Sequence, residues 1–116
     1  MEFTPEYMED RQTFDKLALG CCGLFKITPK QFVSKSRKTD PVFARFLFSY
    51  IAEHRLFKKQ LNGYYNQEFI AGFIGRERSS ISSGKRSAIN LYQFNKKFRS
   101  QVNASPYQAY FETTNQ

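Results

Sequence analysis

Tryptophan is absent from this chain, histidine occurs once, and the only two cysteines are adjacent, Cys21-Cys22. Such a set offers no separated ligand pairs for a zinc cluster. A glycine-rich phosphate loop and a nucleophile elbow are also missing. The residues therefore argue against an enzyme and imply no metal, no cofactor and no small-molecule substrate. No apolar run approaches the roughly 18 consecutive residues of a membrane span. The opening Met1-Glu2-Phe3-Thr4 lacks a basic segment followed by an apolar stretch and a small-residue cleavage site. The expectation is a protein that meets no membrane and acts in the cytoplasm, where it is made. At 116 residues it has room for one small domain with a single core.

Acidic residues are scarce: 10 Asp and Glu stand against 18 Lys and Arg, for a formal charge of +8. The imbalance is local. Residues 1–25 carry −3, residues 26–99 carry +12, and residues 100–116 carry −1. A section as basic as the middle one concentrates polyanions, and each phosphate it neutralises releases condensed counterions. Nucleic acid is the polyanion this favours; the plainer alternative is a solvated, solubilising surface. What separates them is whether the bases share one face of a docking element.

Prolines are few, four in all, and each follows a residue able to cap a helix: Thr4-Pro5, Thr28-Pro29, Asp40-Pro41 and Ser105-Pro106. Proline suits the first helical position, where its missing N–H costs nothing. Four helix starts are predicted there. Phe14, Leu17, Ala18, Cys21 and Leu24 form one stripe of helical period; Phe43, Leu47, Tyr50, Ile51 and His54 form another. No stretch alternates like a strand and no internal repeat is found, so the predicted fold is all-α, a small helical bundle.

Asn62-Gly63 breaks the pattern, and Asn66 can cap a short helix over 67–74 with Phe69, Ile70 and Phe73 inward. Gly75 then permits a left-handed turn. A long helix is expected from near Glu77, burying Ile81, Ala88, Leu91, Tyr92 and Phe98. Helix, glycine turn, helix is the helix-turn-helix pattern, whose second helix enters the major groove N-terminus first. Eight of the twelve residues from Gly75 to Arg86 are Arg, Lys or Ser. Arg76 and Arg78 can fork onto guanine or phosphate, Glu77 can accept from cytosine N4, and short serines allow close approach.

At these residues the chain resembles a known family. Residues 13–99 resemble the C-terminal DNA-binding domain of the bacterial replication initiator DnaA, a helical domain of the Trp-repressor-like group. Ile27-Thr28-Pro29 through Ser36-Arg37-Lys38 is similar to the stretch ending in that family's basic loop. Pro41-Val42-Phe43-Ala44-Arg45 and the residues after it are similar to its central helix. Gly75-Arg76-Glu77-Arg78-Ser79-Ser80-Ile81 is similar to the family's Gly-Arg-Asp-His-Thr-Thr-Val. The resemblance implies minor-groove insertion by Arg37, a backbone or base contact by Arg45, base reading by Glu77, Arg78, Ser79 and Ser80, and phosphate contacts by Lys85 and Arg86. With Lys35, Lys38, Arg76 and Ser83 these residues make up the candidate DNA-contacting set. Departures from the pattern imply a different target. Arg78 replaces His, and Ser79 and Ser80 replace Thr, so thymine-methyl contacts are lost and a guanine-capable side chain is gained. Residues 56–66 are longer than the family's turn. The ATPase module that precedes the family's domain is not in this chain, so ATP binding and helicase loading are not implied. The expected role is sequence-specific binding of double-stranded DNA in replication control or transcription regulation, in a bacterial cell or phage-infected host.

Other residues have plainer readings. Cys21 and Cys22 read as small buried thiols rather than a redox pair, and His54 as a core or boundary residue. The 13 Phe and 7 Tyr are mostly at core spacing, leaving Tyr64 and Tyr65 as the rings available to touch nucleic acid. The acidic first helix either offers a surface to a protein partner or completes the core through Phe14, Leu17 and Leu24. Two other functions stay open: a protein-interaction module docking an acidic partner, and single-stranded nucleic acid or RNA binding through Tyr64 and Tyr65.

Overall fold

The computed structural model describes residues 5–59 and 67–112, with side-chain surroundings for 12–53 and 70–111. The described residues form seven helices and no strand: α1 (Pro5–Leu24), α2 (Pro29–Val33), α3 (Thr39–Lys59), α4 (Gln67–Gly72), α5 (Arg78–Phe94), α6 (Lys96–Asn103) and α7 (Gln108–Glu112). This is the all-α bundle expected. The Asn62–Asn66 turn, Tyr64, Tyr65, the Thr4 cap and the side chains of His54 and Phe69 lie outside the described residues.

Local chemistry explains most boundaries. Thr28 caps α2 in a reciprocal box: its hydroxyl accepts from Gln31 N at 3.1 Å while the Gln31 side chain accepts from Thr28 N at 2.8 Å. Pro29 takes the first helical position. The Asp40-Pro41 signal is displaced. α3 starts at Thr39, so Asp40 falls inside the first turn rather than capping it, and there it pairs with Lys97 at 3.2 Å. Ser105-Pro106 also starts no helix directly. Ser105 Oγ accepts from Tyr107 N at 3.2 Å in a turn, and α7 follows three residues later.

The long helix expected beyond Glu77 is two helices. Asn95 leaves the helical region at φ −109° and ψ 110°, and its side chain accepts from Phe98 N at 2.9 Å, opening α6. Phe98 is buried as expected, but from α6. The apolar stripe runs on past the break because α6 packs its own apolar face against the same core.

α3 is the spine of the bundle, with Ala44, Leu47, Phe48, Ile51 and Ala52 wholly buried. Against it pack Phe14, Leu17 and Cys21 of α1 and Ile81 and Ala88 of α5. Phenylalanine rings fill the interior: Phe43 meets Phe98 edge-on at 5.2 Å and Phe32 meets Phe48 edge-on at 5.6 Å. The C-terminal section beyond the predicted Ser105-Pro106 start contributes to this core. Phe111 lies between Tyr50 and Tyr92, stacked at 4.3 and 4.4 Å, and Tyr50 OH donates to Tyr110 O at 2.8 Å.

Candidate nucleic-acid interface

α4 stops through its backbone geometry. Arg76 N donates to Ala71 O at 3.1 Å and Gly75 N to Gly72 O at 3.4 Å, the paired bonds of a helix end closed by a left-handed residue. Gly75 is that residue, at φ +62°. A Cβ on it would sit 3.3 Å from Val33 O, so the turn also brings the end of α2 close. The chain re-enters a helix at Glu77, whose extended backbone precedes α5 and whose carboxylate makes no capping bond. The head of α5 therefore keeps N–H groups that no side chain covers.

Helical spacing divides α5 into two faces. Ile81, Gly84 and Ala88 turn inward, and Gly84 lets α3 approach so closely that a Cβ would stand 2.8 Å from Ser49 Oγ. Ser79, Ser83 and Arg86 are exposed on the other face, one turn apart. Asn90 and Phe94, outside the candidate set, continue that line at a spacing of four that is visible in the sequence. Lys85, expected at phosphate, is half-buried and lies roughly a third of a turn from the Ser79–Ser83–Arg86 line, on the side of α5 that Arg78 occupies two turns earlier.

The basic loop, residues 34–38, is shaped by its serines. Ser34 Oγ accepts from Ser36 N and Ser36 Oγ from Lys38 N, each at 3.2 Å. Arg45 holds the loop from below. The family resemblance implies a backbone or base contact with DNA at this position, but Arg45 is only 7 % exposed. Its Nη1 donates to Phe32 O at 3.2 Å and Ser34 O at 2.9 Å, and its Nη2 to Ser36 O. An arginine committed to three carbonyls positions the loop rather than reaching a ligand. Arg76, half-buried at the turn, donates from Nη2 to the same Ser34 O at 2.7 Å. Burial, and after it the charge of Arg76, pull the Arg45 pKa below its ordinary value, although a guanidinium stays protonated.

Three adjoining hollows share Arg76. One, of about 490 Å³, is lined by the apolar Val42, Phe46 and Ile74 together with Ser79, Ser80, Ser83 and Arg86. Another, of about 470 Å³, is lined by Glu77, Arg78 and Ser79. The third, of about 660 Å³, lies between the basic loop and the head of α5, with Lys35, Arg37, Arg45, Glu77 and Ser80 in its wall. The structure thus brings together every candidate residue except Lys38, which is exposed on the loop outside the hollows, and Lys85. No family model, curated protein or solved structure matches the chain. Among the described residues, Lys35, Arg37, Arg76, Arg78 and Arg86 make no ion pair, and Glu77 is the one carboxylate in the hollows. Among the described residues lining the hollows, cations outnumber carboxylates.

Proposed function

We propose that this protein binds double-stranded DNA in a sequence-specific way, as a helix-turn-helix of α4 and α5, in replication control or transcription regulation and without ATPase activity. The observation that carries the reading is the line of Ser79, Ser83 and Arg86 facing outward from α5 beside the loop that bears Arg37. An exposed helix head with short hydroxyl side chains and forked cations fits the width of a major groove. In this reading Arg78 and Glu77 address base edges, Arg86 meets phosphate, and Arg37 enters the neighbouring minor groove. The resemblance to the DnaA C-terminal domain points the same way. The acidic α1 is then free of the DNA and open to a protein partner.

Selection of bound fragments from a random duplex pool, repeated with Arg78→Ala, tests the proposal. A preferred sequence that changes at one position in the variant supports base reading by Arg78. A preference that survives with uniformly weaker binding moves Arg78 to phosphate. No enrichment, together with no gel shift of duplex at moderate salt, overturns the proposal in favour of an acidic protein partner. With roughly five to eight phosphates contacted, affinity falls by orders of magnitude from low to physiological salt.

A further inference from the structure

We propose that the hollow between the basic loop and the head of α5 is a seat for a single phosphate group, with Arg76 as its principal ligand and Arg45 as a positioning residue beneath it. Two guanidinium groups converge there on one peptide oxygen: Ser34 O accepts from Arg45 at 2.9 Å and from Arg76 at 2.7 Å. A peptide carbonyl cancels neither charge, and among the described residues no carboxylate pairs with either arginine. Like charges held together without a counter-charge raise the local potential and favour an anion.

The donors are divided between the two arginines. Arg45 has its guanidinium committed to Phe32, Ser34 and Ser36. Arg76 commits a single N–H to Ser34 and keeps the rest of its fork, the geometry that matches two phosphate oxygens. Around it the wall of the hollow adds Lys35 and Arg37, the half-buried Ser80, and Glu77 as the one acid. Four cations, counting Arg45, against one carboxylate leave the hollow positive even after a phosphate diester enters. The uncapped start of α5 adds N–H groups and the positive end of its dipole at the same edge.

The phosphate is a DNA backbone diester if the reading above holds; the seat itself depends only on phosphate chemistry. Bound by Arg76 of the turn and flanked by Lys35 and Arg37 of the loop, it would fix the spacing between Arg37 and the reading face of α5.

Two arms of an experiment separate these claims. In the first, inorganic phosphate is titrated against chloride at constant ionic strength, following the melting temperature and the arginine side-chain N–H resonances of the full chain. Saturable stabilisation with a shift of the Arg76 signal is expected, lost in Arg76→Ala and kept in Lys97→Ala. In the second, duplexes carrying one neutral methylphosphonate at successive positions are compared. One position should weaken wild-type binding by about tenfold and leave Arg76→Ala unaffected. If Arg76→Ala does not fold, exposed Arg37→Ala takes its place and should reduce both responses. Saturable, Arg76-dependent phosphate binding without duplex binding supports the seat while overturning the DNA reading. Duplex binding in which no methylphosphonate penalty depends on Arg76, with no saturable phosphate response, overturns the seat and leaves the DNA reading standing.

Discussion

At Gly75 two demands coincide, a φ of +62° and a carbonyl oxygen 3.3 Å from where a Cβ would be. Gly75→Ala should lower stability by about 1–2 kcal/mol in urea unfolding, because only glycine enters the left-handed region without cost. Lys26 sits at φ 57° without that freedom. Lys26→Gly should therefore leave stability unchanged or raise it by up to about 1 kcal/mol, a contrast of sign between two helix ends of the same geometry. Cys21 carries a different prediction. Burial, then the neighbouring Cys22, push its thiol far above the ordinary range, and burial raises Cys22 as well. The folded state keeps protons that the unfolded chain releases above about pH 8.5. Stability is thus insensitive to these thiols below that pH and falls as pH climbs beyond it. Urea midpoints from pH 7 to 10 should decline less steeply in Cys21→Ala, and a thiol reagent should label Cys21 only on unfolding.

Elements begin and end where short polar side chains meet the backbone, and the sequence shows this unevenly. The Thr28 start was legible because a capping residue stands directly before Pro29; the reciprocal bond from Gln31 that completes the box came only with the structure. The break at Asn95 was not, since Leu91, Tyr92 and Phe98 keep a helical period across it and only the packing of α6 makes a second axis preferable. Asn95→Ala should cost about 1 kcal/mol by removing the bond to Phe98 N. The contact between α3 and α5 depends on Gly84. Gly84→Ala places a Cβ 2.8 Å from Ser49 Oγ and 3.0 Å from its Cβ. It should destabilise by about 1–3 kcal/mol, as overpacked helix contacts do. Under the proposed function, the displacement of α5 should also weaken duplex binding, as a gel shift would read.

Across the whole molecule, the C-terminal residues complete the interior. Phe111 is 2 % exposed between Tyr50 and Tyr92. Phe111→Ala should cost about 3–5 kcal/mol in denaturant unfolding, whereas a polar tail would tolerate it. The amino-acid order alone determined the helical class, the stripes of α1 and α3, the glycine turn, and the gathering of basic residues into the middle of the chain. Those features follow from periodicity, backbone freedom and counted charge, all local properties. Tertiary structure decided what no local rule carries: that Arg45 faces inward onto three carbonyls, that Lys85 leaves the line of Ser79, Ser83 and Arg86, and that residues 102 and 111 belong to the core. An arginine has the same charge on either side of a helix. Only the neighbouring carbonyls of α2 and the loop fix which side it takes, and they come within reach when α2 folds back across α3.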